Sequence, residues 1–382
     1  MPANNNPSHR RIKTLDSLRG FAALSVVFGH GTGGFYFAKL IDNTPFYITR
    51  AGHEAVIFFF MLSGYVLVYQ YSLTEKISYG KFLLLRYFRL YIPYIASIAL
   101  ALILMQIVEP GQPNNLFMSQ LWQLPLTPER IIGHILLVGN FNTSVLNPVI
   151  WSLVHEMRFA ILFPPLLWIL NLRPAKMVGT LIIITLVSAG LLMLCTYFKY
   201  EDCNGYFATP YYIYMFLAGG YIAKNQSALV AWFQSLNKAK KVIITIIAVL
   251  FYTYAHMFTS AIANSIYIPL LMRSRFLIED LIIALASFYF IVAAISINNT
   301  KSLLERPVPL FFGKISYSLY LVHSPVLGFL YFALRNQLPA AVILIIGFGL
   351  CIPLAAIFNR YVEQGLVNQA RRFLNRNSAS GK

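Results

Sequence analysis

Charge is scarce in this sequence. Asp, Glu, Lys and Arg make up 11% of its 382 residues, where an ordinary soluble domain carries roughly a quarter. Hydrophobic residues make up 58%, and long apolar runs recur to about residue 361. Together these exclude a soluble domain with a single anchor and imply an all-α, polytopic helix bundle in a lipid bilayer. Cysteine is scarcer still. Cys195, Cys203 and Cys351 predict no disulfide framework and no metal-binding spacing. No cleavable leader is expected, because the first apolar run is long and residues 31–39 lack a small-residue cleavage site.

The charge that remains is mostly of one sign. Thirty basic residues stand against 13 acidic ones, a net charge of +17. A nucleic-acid reader would gather them on one dense basic face. Here they sit in short stretches between apolar spans, where membrane topology needs them, so no nucleic-acid partner is expected.

Ten transmembrane helices are predicted, near residues 16–38, 51–72, 87–108, 149–170, 177–198, 208–223, 240–258, 276–297, 312–333 and 338–361. An even number puts both termini on one side. Of the 30 Lys and Arg residues, 22 fall on the side of the termini, 7 on the other, and Arg158 inside a span. That bias makes the side of the termini cytoplasmic. The organisation expected is a basic cytoplasmic segment 1–14, a transmembrane domain 15–363 and a basic cytoplasmic tail 364–382. The longest connection, 109–148, is expected outside. Within it, Thr127 as N-cap and Pro128 at the first helical position predict an interfacial helix over 128–138. It reads either as a partial lid over an outer opening or as a structural re-entrant connector.

Against this background each ionisable group inside a span is a functional lead, because hydrocarbon makes it costly. Arg19 and His30 are eleven residues apart. On an α-helix that is about 1100°, within about 20° of three full turns, so they share one face about 16 Å apart. His30 alone would read as a packing histidine; Arg19 on its face favours a polar path. Counted from the inner surface, His30, Glu156 and His323 come to one depth within about one helical turn. They would form a single polar site if their helices face each other. Glu156 would orient a histidine, or pair with Arg158 or His155. Ser316, Tyr320 and His323 share one stripe, which would line a path or bond neighbouring helices. Near the inner surface Arg86 and Arg89, one turn apart, would clamp phosphates or serve as ordinary positive-inside charge. Arg19 at a similar level favours an anchor for an anionic cytoplasmic ligand. In the second span Ser63, Gly64 and Tyr65 suggest close helix packing, with the Ser63 hydroxyl available to a path. His53 and Glu54 stand at the outer end of that span, where an acceptor would meet them.

These motifs, in this order, resemble the acyltransferase-3 family of integral membrane acyltransferases. The resemblance runs from Leu15 to about Glu363. It rests on Leu15-Asp16-Ser17-Leu18-Arg19-Gly20 with His30, and on Phe60-Met61-Leu62-Ser63-Gly64-Tyr65. It continues through Arg86 and Arg89 with Pro93, then Trp151-Ser152-Leu153 with Glu156 and Phe159, then Ile315-Ser316-Tyr317-Ser318-Leu319-Tyr320-Leu321-Val322-His323. Each motif alone is weak; five in order are specific. The resemblance implies a ten-helix core that moves acyl groups, commonly acetyl, from cytoplasmic acyl-CoA to carbohydrate or lipid-linked acceptors outside a bacterial inner membrane. His30 would be catalytic, with Glu156 and His323 orienting it or moving its proton. Arg19, Arg86 and Arg89 would bind the donor. Ser63, Tyr65, Trp151, Ser316 and Tyr320 would line the pore or the acceptor site. Acetyl-CoA is then a co-substrate, no metal is expected, and the acceptor is a surface glycan such as lipopolysaccharide O-antigen.

Two departures stand out. After Glu156 the chain reads Met157-Arg158-Phe159-Ala160, where many members have an acidic residue or glutamine and then Phe-Tyr. Many members also carry an extra span and a soluble SGNH-type domain; neither is expected here, so a second transfer would need a separate partner. Two other classes compete. A transporter of a sugar or anionic substrate would use the same polar path, but no convincing internal repeat is present. A lipid-linked glycosyltransferase would place carboxylates in the first outer loop, where only Asp42 and Glu54 qualify.

Overall fold

The computed structural model of the chain describes residues 12–33, 41, 44–73, 78–110, 118–198, 203–266, 269–296 and 303–369. Among these residues there are helices and turns and no strand. In chain order the helices are α1 (Lys13–Thr32), α2 (Gly52–Leu73), α3 (Tyr79–Ile107), α4 (Pro128–Leu136), α5 (Trp151–Ile161), α6 (Phe163–Leu170) and α7 (Pro174–Tyr197). They continue with α8 (Cys203–Lys224), α9 (Gln226–Ser235), α10 (Lys238–Ile266), α11 (Pro269–Ser296), α12 (Pro307–Leu334) and α13 (Ala340–Phe358). Residues 1–11, the outer end of the first predicted span at 34–38, Lys39, Asp42, Lys76, Lys199, Lys301 and the tail beyond 369 lie outside the described residues.

The protein is an all-α polytopic membrane bundle. Seven of the described helices are long and apolar enough to cross a bilayer: α2, α3, α7, α10, α11, α12, and α13 with its continuation to Gln369. The other three predicted spans coincide with helices of weaker character. α1 is diluted by Asp16, Arg19 and His30, and α8 by its tyrosines, glycines and Pro210. The fourth is not one straight helix. α5 and α6 meet at 72°, and they make an eighth crossing when counted as one. Pro164 and Pro165 cause the break, since they offer no N–H to the carbonyls of Ala160 and Ile161 and their rings crowd that turn. One further expectation is corrected: Cys195 is disulfide-bonded. A count of three cysteines gave no sign of it, because pairing depends on which helix ends the fold brings together.

The chain divides into two compact units. The first comprises 1–19, 53–77 and 162–313. In it α10 packs along α11 and α7 along α8. Its outward residues are apolar, with Ile183 64% and Leu186 60% exposed on α7, as a face toward lipid tails requires.

The second unit comprises 20–52, 78–161 and 314–382. Its short helix α4 starts where the Thr127 hydroxyl accepts from the Arg130 N–H at 3.4 Å. It ends at Leu136, two residues before the predicted limit, and the next residue, Leu137, has a left-handed backbone (φ 56°) that turns its N–H onto the Gly133 carbonyl. The last carbonyls of a helix have no helical partner. Here two hydroxyls from α3 supply them: Tyr94 donates to the His134 carbonyl at 2.6 Å and Tyr91 to that of Ile135 at 2.8 Å.

Candidate active site

The second unit gathers the polar groups that the sequence places inside its spans. α1 brings His30 there between two glycines. A Cβ on Gly29 would lie 2.9 Å from the Arg50 carbonyl oxygen, and one on Gly31 would lie 2.8 Å from the Phe348 ring. Their absence lets α1 lie directly on the 3₁₀ turn Pro45–Arg50 and on α13. Phe28 stacks on Phe348 with centroids 5.5 Å apart, which fixes the rotation of α1 just below His30.

α12 brings His323, which is completely buried. Pro325 follows two residues later and has no N–H for the Leu321 carbonyl four residues before it. Asn147 fills that vacancy, donating from Nδ2 to the Leu321 oxygen at 2.9 Å. The amide, itself fully buried, ties the start of α5 to the turn of α12 that carries His323.

His30 Nδ1 lies 3.0 Å from His323 Nε2, with the ring centres 5.3 Å apart and 16° between the planes, so the rings meet edge to edge. The proton positions follow from the partners. His323 Nδ1 lies 3.1 Å from the Leu319 carbonyl, an acceptor only, so this nitrogen carries the hydrogen. His323 Nε2 therefore presents a lone pair and accepts the Nδ1–H of His30. The lone pair of His30 then sits on its Nε2. A half-buried imidazole with one nitrogen held by a buried partner and a basic second nitrogen has the form of a general base.

Tyr320 lies one turn below His323, with ring centroids 5.9 Å apart. Its hydroxyl donates to the Val149 carbonyl at 2.7 Å and accepts from the Ser152 hydroxyl at 2.8 Å. Ser316 is buried on the same helix. Trp151 is half-buried and meets His155 edge to face at 5.8 Å.

Glu156 pairs with Arg86. Tyr317 lies within electrostatic reach of both, and of Arg89 and Glu363, and its hydroxyl donates to the Leu90 carbonyl at 3.1 Å. Glu363 stands on the widened helical segment Asn359–Leu366, where it accepts from Ser318 at 2.6 Å and from Asn359 at 2.7 Å. Arg158, one of the partners considered for Glu156, donates to the carbonyls of Val138 and Gly139 at 3.0 and 2.8 Å.

Arg19, Ser63 and Tyr65 belong to the first unit, as do His53 and Glu54. The Arg19 guanidinium donates to the Gly313 carbonyl at 3.5 Å. The Tyr65 hydroxyl donates to Gln226 Oε1 at 3.0 Å, and Ser63 is half-buried on α2. Sequence reasoning missed Asn147, Tyr317 and Glu363. Pro325 signals that the Leu321 carbonyl needs a donor, yet nothing in the sequence says which side chain supplies it.

A family model described as an acyltransferase domain matches residues 12–360. The chain is 25% identical over 378 residues to O-acetyltransferase OatA of Staphylococcus aureus, covering 93% of this chain and 57% of that protein. It is 31% identical over 160 residues to acyltransferase MdmB of Streptomyces mycarofaciens, covering 41% of this chain and 39% of that protein. The chain thus spans little more than half the length of OatA. No solved structure matches.

Proposed function

Since the chain belongs to the acyltransferase-3 family, we propose that it transfers an acyl group, acetyl first among them, from acyl-CoA to a hydroxyl of a surface glycan or lipid-linked glycan. The observation that carries the reading is the ordered pair of His30 and His323. His30 Nε2 takes the proton of the acceptor hydroxyl as its oxygen attacks the thioester carbonyl. The carbon–sulfur bond breaks, and the thiolate of CoA leaves with the proton that the imidazolium returns. His323 never meets the substrate. It holds His30 in the tautomer that exposes a basic nitrogen and accepts the Nδ1–H bond that strengthens when His30 is charged.

Lys and Arg set the orientation, with both termini cytoplasmic in a bacterial inner membrane. The disulfide-bonded Cys195 supports it, because it lies near the end of α7 that this orientation turns outward, where disulfides persist. The nucleotide of acyl-CoA approaches from the inside, toward Arg89 and the Arg86–Glu156 pair, with Arg19 at the inner end of α1. Ser152 and Tyr320, bonded beneath His323, shape the reacting end of the path. Similarity to the O-acetyltransferase OatA supports oxygen as the accepting atom and acetyl as the group moved.

The test is the purified chain in proteoliposomes with radiolabelled acetyl-CoA and a panel of bacterial surface glycans. Transfer of label to glycan by the wild type, lost in His30→Ala with folding intact, is the expected result. Full transfer by a folded His30→Ala protein overturns the reading.

A further inference from the structure

A second polar constellation lies in the first unit and takes no part in the chemistry above. His53 opens α2. Its Nε2 lies 2.6 Å from Asp280 Oδ1 on α11. The other carboxylate oxygen, Oδ2, accepts from the Tyr211 hydroxyl on α8 at 2.8 Å. Three helices thus contribute one side chain each to a linear chain of bonds. The exposures differ in a telling way. Asp280 is 3% exposed, while the His53 side chain is 47% exposed.

A purely structural clamp would bury both ends. Here Asp280, anchored by Tyr211, holds one nitrogen of an imidazole whose ring stands half in the open. With Nε2–H committed to the carboxylate, Nδ1 is the ring nitrogen left to meet a ligand. A buried carboxylate inside an apolar bundle is costly, which makes it a lead to function. Among the described residues, the charges that act on His53 are carboxylates: Asp280, Glu54 and Glu279. An anionic ligand would meet repulsion there. Beside Tyr211 stand the half-buried Tyr214 and Phe276, with ring centroids 5.9 and 5.7 Å away. Hydrogen-bonding groups set among aromatic rings suit a ligand with hydroxyl edges and apolar faces.

We infer that His53, positioned by Asp280 and Tyr211, is a binding residue for the hydroxyl groups of an uncharged sugar. The inference rests on the reading of the chain as a glycan acyltransferase. It deepens that reading by naming the acceptor class as neutral and by giving it a site on α2, α8 and α11. In the orientation set by Lys and Arg, His53, Asp280 and Tyr211 all fall in the outward halves of their helices, the side from which an acceptor arrives.

The experiment is binding of the full-length protein in nanodiscs to a glycan array holding neutral, sialylated and phosphorylated oligosaccharides. The wild type is expected to bind neutral members and to reject acidic ones. His53→Gln is expected to weaken binding by about tenfold or more, the loss of a hydrogen bond to an oriented partner. Tyr211→Phe keeps the ring and removes only the hydroxyl that steers Asp280, so it is expected to weaken binding to a lesser degree. Thermal unfolding of each variant separates lost binding from lost folding. Failure of the wild type to bind any neutral glycan, or unchanged binding by a folded His53→Gln protein, overturns the inference. Failure of the acyltransferase reading shows separately, as glycan binding by a wild type that releases no CoA from acetyl-CoA.

Discussion

His323 Nε2 accepts a hydrogen bond from His30 Nδ1 at 3.0 Å, and the Leu319 carbonyl fixes the tautomer that makes this direction the required one. Two histidines that could each be donor or acceptor are thereby ordered, by one backbone carbonyl, into a relay that ends in a basic nitrogen on His30.

That order gives the two histidines different mutational signatures. His30→Ala removes the base and is expected to lower turnover by about 10²–10⁴-fold. His323→Ala leaves the base but frees its tautomer, and is expected to lower turnover by about a hundredfold with the KM for acetyl-CoA unchanged. His323→Gln, whose side-chain oxygen can accept the Nδ1–H, is expected to recover part of that loss. Steady-state kinetics on the three purified variants checks the pattern; equal defects in His323→Ala and His323→Gln would remove the tautomer argument.

Arg86 and Glu156 form an ion pair in which Arg86 is 7% and Glu156 22% exposed. Removing one partner leaves the other charge buried, which costs about 3–5 kcal/mol. Arg86→Met and Glu156→Met are each expected to lower the thermal midpoint sharply. The double variant is expected to regain part of the loss, because no uncompensated charge remains. Thermal unfolding in detergent reads all three, and additive losses would show that the pair does not act as a unit.

Close backbone contact between α2 and α8 depends on two glycines. A Cβ at Gly64 would lie 1.8 Å from the Phe216 carbonyl oxygen, and one at Gly219 would lie 1.8 Å from that of Met61. Both obstacles are backbone atoms, which yield only if a helix moves. Gly64→Ala and Gly219→Ala are each expected to destabilise the first unit by about 1–3 kcal/mol or more. Gly190, with nothing within 4 Å of its added Cβ, is the control, and Gly190→Ala is expected to be neutral in the same unfolding assay.

His134 gives a pH dependence. It is 1% exposed on α4, and its Nδ1–H donates to the Arg130 carbonyl at 2.8 Å. Burial pushes its pKa below the ordinary histidine value. The folded chain therefore binds this proton less readily than the unfolded chain. Stability from this group is complete above about pH 6.5 and declines as pH falls below it. The thermal midpoint is expected to drop on acidification in the wild type and to drop less in His134→Gln.

The fold class was legible because a bilayer constrains sequence so strongly. Long apolar runs with few charges have no soluble alternative. The start of α4 was legible too, since Thr127 and Pro128 carry its cap in their own chemistry. The break between α5 and α6 was written in Pro164 and Pro165, yet the apolar composition of 149–170 read through them as one span. The disulfide at Cys195 had no local signature.

By itself the sequence determined the membrane environment, the helical character and the helices on which His30, Glu156 and His323 lie, because hydrophobicity and proline act on the chain locally. Counting rise per residue put Glu156 level with His30 and His323, yet Glu156 pairs with Arg86, which the same count puts near the inner surface. Which groups meet was decided by the tertiary structure alone. Rotation of each helix about its axis depends on packing against neighbours far away in the chain, such as Phe348 against Phe28 and Asn147 against Leu321. That packing set His30 against His323 and gave Glu156 to Arg86. In the first unit the same kind of packing joined His53 to Asp280, 227 residues away.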